Sequence, residues 1–222
     1  MQRLASTRPR LLIGCVTLVM MAGCAGRSQS GSTAGAAQAP KGNGVIKIGA
    51  LLPLSGDNAN AGIDALNAAK IAADELNAGG GVLGRSVEIV PGDDGCDPQT
   101  GTAAAQKLLV SGVVAVAGGY CSGAAIPETT VLDSKGVPFV SAAATNPLLT
   151  ERGLPTVFRT VGRDDQQGPF AARFLAGSVG ARKLAILHDN TTYAKGLAEE
   201  TRTANTALKL GMQIVFFDAI TP

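Results

Sequence analysis

From residue 45 onward, short apolar runs alternate with longer stretches of helical periodicity. Residues 45–52 (VIKIGALL) are mostly apolar, as expected for a strand covered on both faces. Leu66, Ala69, Ala73 and Leu76 then recur at spacings of three, four and three, which is one face of a helix. A glycine-rich stop follows at Gly79, Gly80 and Gly81. The same rhythm predicts strands at 85–90, 113–117 and 137–141, with helices at 98–109 and 122–132 between them. Further on it predicts an extended run at 156–161, a helix over 166–178 carrying Phe170 and Phe174, and a strand at 184–187. A helix marked by Leu197, Thr201, Ala204 and Leu208 and a strand at 213–217 complete the pattern. Regular alternation of strand and helix predicts βαβ units and an α/β fold with a parallel sheet covered on both faces. Beyond about residue 163 only two strands and two helices are present, too few to close a core of their own. An incomplete second lobe of marginal stability is therefore expected.

The first 43 residues follow a different rule. Arg3, Arg8 and Arg10 precede an apolar run at 11–21, and small residues Ala22 and Gly23 follow it. A membrane-spanning helix needs about 20 apolar residues, so this shorter run predicts a secretory signal peptide over residues 1–23. Residues 24–43 are small, polar and aperiodic, the composition of a flexible linker.

Charge and composition narrow the function classes. The chain of 222 residues carries 19 basic and 17 acidic side chains. Without the three signal-region arginines, 16 basic face 17 acidic residues, or −1. Such a near-neutral body lacks the electrostatic footprint of a nucleic-acid-binding protein. Aromatic residues make up only 4% and Trp is absent, so Ala, Val, Leu and Ile must fill the core.

Three motifs carry candidate chemistry. Gly79-x-Gly81-x-x-Gly84 matches a dinucleotide fingerprint as a string, but a helix precedes it and a strand follows. The phosphate-binding context is thereby reversed, and a glycine-rich turn accounts for it. Gly119-x-Cys121-x-Gly123 follows a strand and opens a helix, the setting of a nucleophile elbow with Cys in place of Ser. Asp164 or Asp165 and the single His188 would complete a thiol-hydrolase order. Cys96 opposes that reading, because two cysteines outside the signal region of an exported protein most often pair. Finally, Tyr120-Cys121-Ser122 and Ala143-Ala144-Thr145 lie at the ends of neighbouring strands. There, helix N-terminal N–H groups favour an anion such as a carboxylate, and open parallel sheets bind ligands. A plain helix cap is the competing account of Ser122.

Taken in order, these segments resemble the leucine/isoleucine/valine-binding proteins, substrate-binding components of branched-chain amino-acid ABC importers. The resemblance runs from about Ile46 to Pro222. It rests on Ser55-Gly56, Asp93-Asp94-Gly95-Cys96-Asp97-Pro98, Tyr120-Cys121-Ser122, Ala142 to Thr145, Asp164 to Pro169, His188-Asp189 through Tyr193, and Val215 to Asp218. It implies a type I periplasmic-binding fold of two doubly wound parallel-sheet lobes, the first over 44–162 and the second from 163 to 222 incomplete. It implies a non-enzymatic monomer, with neither cofactor nor metal, that binds an amino acid and partners a membrane ABC permease. Tyr120 and Ser122 match positions lining a ligand carboxylate. Ala143 and Thr145 match positions meeting its ammonium, and Tyr193 matches one that covers it. Cys96 and Cys121 match the family's disulfide. Met21-Ala22-Gly23-Cys24 resembles a bacterial lipobox, which implies lipidation at Cys24 and an extracytoplasmic, membrane-anchored protein. A Tyr common after the Ser-Gly pair is Ala61 here, which predicts a ring missing from the pocket rim. The family's acidic partner for the ammonium lies beyond Pro222. A ligand sensor on the same fold is an alternative.

Overall fold

The computed structural model describes residues 44–220. The signal peptide, lipidation site Cys24 and linker expected over 1–43 lie outside the described residues. Among the described residues no helix is long and apolar enough to cross a membrane.

Two sheets are present among the described residues. The first is built from β1 (Ile46–Leu52), β2 (Val87–Asp93), β3 (Ala115–Gly118), β4 (Phe139–Ser141) and β5 (Val157–Arg159). Its order is β2-β1-β3-β4-β5, and every neighbouring pair is parallel. The chain thus leaves β1 toward one edge and later crosses to its other side. This makes the gap between β1 and β3 a topological switch point, where crevices form at the C-terminal strand ends.

Side-chain alternation on β1 explains the layering. Leu51 is fully buried against α2 (Pro98–Val110) and α3 (Ser122–Asp133), where Ala105, Leu108, Leu132 and Phe139 close one core. Ala50 and Leu52 point to the opposite face and meet Leu66 of α1 (Ala59–Ala78). At Gly118 a Cβ would come within 2.1 Å of the Leu51 carbonyl oxygen, so only glycine fits between these strands.

Several expectations shift. β2 runs on through Pro91 and Gly92 to Asp93, three residues past the predicted end. It is the edge strand, where proline's missing N–H costs no ladder bond. The buried row of α1 is Gly62, Leu66 and Ala73, while Leu76 is 48% exposed. A Cβ at Gly62 would stand 1.8 Å from the Pro53 carbonyl oxygen, so this close approach sets the helix rotation. The Gly79–Gly84 segment forms a tight turn: Gly81 and Gly84 hold positive φ, and Val82 bridges Arg85.

The second sheet pairs β6 (Lys183–His188) and β7 (Gln213–Ala219) in parallel. It is flanked by α4 (Asp164–Gly177) and α5 (Thr192–Ala207). Helix packing here runs through small residues. A Cβ at Gly168 would lie 2.5 Å from that of Glu200, and Ala172, Ala204 and Met212 form the buried cluster. Phe170 and Phe174 lie on the outer face of α4, and Leu208 is 43% exposed at the end of α5. Close contact between the helices favours the glycine and alanine row over the bulky one.

Candidate functional site

A cavity of about 660 Å³ opens at the C-terminal ends of the strands. Tyr120, Cys121, Ser122 and Gly123 line it from the β3–α3 junction, and Ala143 and Thr145 from the segment after β4. Cys96 and Pro98 contribute from the β2–α2 junction, Asn58 from the start of α1, and Asp189 to Tyr193 from the β6–α5 junction. The five residues singled out from sequence, Tyr120, Ser122, Ala143, Thr145 and Tyr193, therefore share one cavity. Asn58 and the Asp189–Thr192 turn are lining residues that sequence reasoning did not single out as site residues. Asn58 stood only in a loop after a strand, and the Asp189–Thr192 turn entered the family resemblance as a segment without a role of its own. Ala61 does not line the cavity; it lies within the first turn of α1, and Asn58 holds that side instead.

Local chemistry fixes each wall. Gly119 has φ +71°, and a Cβ there would stand 2.8 Å from the Phe139 ring. The chain can thus turn sharply out of β3 and present Tyr120, which is 36% exposed. Cys121 is the N-cap of α3 and offers no side-chain acceptor to the helix's first N–H groups. By contrast, α2 is capped by Asp97 and α5 by Thr191. The α3 N-terminus thus faces the cavity with unsatisfied donors and the positive end of its dipole. Ser122 is the first helical residue, and its Oγ accepts from the Asn146 N–H at 3.4 Å. Its own proton remains free to donate.

Cys96 and Cys121 form a disulfide with Cα atoms 5.3 Å apart. It ties the β2–α2 and β3–α3 junctions together in the cavity wall. Cys121 is therefore no free thiol nucleophile. His188 does not line the cavity: it is 7% exposed, accepts from the Asn190 N–H at 3.1 Å through Nδ1, and lies against the Phe217 ring. The hydrolase constellation is not assembled.

The opposite wall is polar. Asp189 Oδ1 accepts from the Thr191 hydroxyl at 2.7 Å and the Thr191 N–H at 2.9 Å. These bonds hold its carboxyl below the usual range. Asn146 Nδ2 donates across to the Thr192 carbonyl at 3.3 Å, linking the two walls at one margin. Behind the Ala142–Asn146 segment, Arg159 clamps the Ala144 and Asn146 carbonyls at 3.1 and 2.8 Å. Among the described residues no cluster of His, Cys, Asp and Glu is arranged to hold a metal.

Residues 45–219 match the model of the periplasmic binding protein family. The chain belongs to that family. The Leu/Ile/Val-binding protein BraC3 of Rhizobium johnstonii is 41% identical over 184 residues, covering 83% of this chain and 50% of that relative. A branched-chain amino acid transporter substrate-binding protein from Streptococcus pneumoniae, solved with isoleucine, superposes with a TM-score of 0.72 at 29% identity. That match covers 80% of this chain and 50% of that one. A solute-binding protein of an ABC transporter from Rhodopseudomonas palustris, solved with 3,4-dihydroxybenzoic acid, gives a TM-score of 0.71 at 26% identity. It covers 80% of this chain and 47% of that one. The chain spans about half the length of the curated relatives it matches. The fold is thus the type I periplasmic-binding fold, and the family is one of substrate binders.

Proposed function

We propose that the protein is the extracytoplasmic substrate-binding component of an ABC importer and takes a free amino acid, branched-chain by preference, into the cavity between its lobes. One observation carries this reading: Tyr120, Ser122, Ala143, Thr145 and Tyr193, drawn from three loops on two sheets, converge on a single cavity at the strand C-termini. The relatives named for leucine, isoleucine and valine support the ligand class.

In this reading residues 44–162 form lobe one and residues 163–222 begin lobe two. The α3 N–H groups and the Ser122 hydroxyl take the ligand carboxylate. The Ala143 carbonyl and the Thr145 hydroxyl take the ammonium. Tyr193, 42% exposed on the facing wall, covers the bound molecule. Contacts made only when the lobes approach shift the population toward the closed form, which a membrane permease would recognise. No bond in the ligand is broken, so the protein acts as a monomeric receptor without catalysis. Lipidation at Cys24 would hold it beside that permease.

A panel of free amino acids scored by thermal unfolding tests the proposal. A ligand at about 100 times its dissociation constant stabilises by roughly 2.7 kcal/mol. Leucine, isoleucine or valine is expected to raise the melting temperature, and no shift with any amino acid would contradict the ligand class. A second class, aromatic carboxylates, has the Rhodopseudomonas palustris complex behind it. 3,4-Dihydroxybenzoate therefore belongs in the same panel, and a shift with it alone would favour that class.

A further inference from the structure

Behind the cavity floor lies a carboxylate whose partner is missing. Asp164, the first residue of α4, is fully buried, and neither of its carboxylate oxygens has a hydrogen-bond partner. Thr145 Oγ1, on a residue that lines the cavity, is buried and likewise unpartnered. The two residues are tied through the backbone, the Asp164 N–H donating to the Thr145 carbonyl at 3.1 Å. The Thr145 hydroxyl stands close enough to draw the Asp164 carboxyl downward against the upward push of burial.

Among the described residues no cationic side chain is hydrogen-bonded to this group. Arg159 is near enough to draw the Asp164 carboxyl downward and its Nε is buried without a partner, but it makes no hydrogen bond to Asp164, and its terminal nitrogens are bound to the Ala144 and Asn146 carbonyls and to Thr150 Oγ1. Arg163 is engaged by Glu151 and Asp165. On α5, Gly196 faces Asp164: a Cβ there would lie 3.8 Å from Oδ2, so no side chain reaches in from that helix position. A buried carboxylate that accepts no hydrogen bond is costly, and the nearby Arg159 guanidinium offsets only part of the upward push of burial. A cation brought by the ligand would remove that cost.

We propose that Asp164 is a positioning residue for the ligand ammonium: it accepts a hydrogen bond from the Thr145 hydroxyl, turns the Thr145 oxygen lone pairs toward the cavity, and sets a buried negative charge behind them. This role rests on the amino-acid reading above. It gives the charge to a residue within the described chain, acting through Thr145 rather than by direct contact. A purely structural role, an acid favoured at the α4 N-terminus by the helix dipole, would make no distinction between ligands with and without an ammonium.

The test compares leucine with 4-methylpentanoate, which keeps the carboxylate and side chain but lacks the ammonium. Both are titrated calorimetrically into the wild type, Asp164→Asn, Thr145→Val and the double variant. Asp164→Asn is expected to weaken leucine roughly tenfold to a hundredfold, the effect of losing a charge-assisted contact. It should leave 4-methylpentanoate within about threefold, and its effect on leucine should shrink in the Thr145→Val background. Should Asp164→Asn not fold, Asp164→Ser carries the same comparison. Equal losses for the two compounds, or unchanged leucine affinity, would overturn the role while leaving the binding function intact. A wild type that binds both compounds equally would also overturn it. A wild type that binds neither compound would overturn the amino-acid reading and this role together.

Discussion

The two sheets follow the same strand–helix rhythm but differ in what covers them. In the first, β1 lies between β2 and β3 with helices on both faces, and Ala50 and Leu51 are 1% and 0% exposed. In the second, β6 and β7 have one open side, where Leu187, Val215 and Phe216 are 55%, 51% and 49% exposed. Its buried cluster is Ala172, Ala204 and Met212. The segments that would grip a ligand's backbone thus stand on the thicker core. The Asp189–Tyr193 turn, which would cover it, stands on the thinner one.

The contrast breaks most visibly at its strongest point. Phe139→Ala removes a fully buried ring between β3, β4 and α3, and a denaturant melt should record a loss of about 3–5 kcal/mol. A loss below 1 kcal/mol would mean that the first core is not as well packed as its burial implies. Next in size is the disulfide. Replacing Cys96 and Cys121 by Ala should cost about 3 kcal/mol on the chain-entropy model. In hydrogen exchange, amides of α2 and α3 should lose protection while those of β6 and β7 stay as they were. Equal loss in both sheets would show them to be one cooperative unit.

A pH series tests a pair of buried acids inside the first core. Glu128 on α3 and Asp94 after β2 are both fully buried. Room for Glu128 exists because residue 101 is glycine, where a Cβ would stand 2.3 Å from Oε1. Burial, reinforced by Asp94, pushes the Glu128 carboxyl up to about 9. Burial likewise lifts Asp94 to about 6. Both pKa values are raised in the folded state, so the unfolded chain loses these protons first as pH rises. The stability they contribute is full below about pH 4, fades through pH 6 for Asp94, and is lost by about pH 9 for Glu128. Melting temperature should therefore fall between pH 6 and 9 in the wild type and fall less in Glu128→Gln. Identical slopes would contradict a protonated Glu128. Smallest of all, Phe170→Ser on the outer face of α4, 65% exposed, should change stability by no more than about 0.5 kcal/mol.

Sequence pattern carried the architecture where apolar runs are unbroken, as in β1 and β6, and where glycine marks a stop, as after α1. It failed where a close contact overrode periodicity. Gly62 against Pro53 turned α1 away from the Leu76 row, and Gly168 against α5 left Phe170 and Phe174 outside. It also ended β2 early, because Pro91 and Gly92 lower strand propensity without regard to an edge position. Tyr120, Ser122, Ala143 and Thr145 were legible as candidates because they lie at strand ends, whereas Tyr193 came only from the family resemblance. The Asn146–Thr192 link spans 46 positions, and the buried Asp164 and Glu128 look like ordinary helix acids. Neither the link nor the burial leaves a local trace in sequence.

A calorimetric titration of leucine into the protein and its Ser122→Ala and Tyr193→Ala variants tests the central claim most directly, because those residues face the cavity from opposite walls. Single-site binding weakened about tenfold by either substitution is the predicted result. Binding that survives both substitutions unchanged, or no binding of leucine or any other amino acid, would contradict an amino-acid receptor built on this cleft.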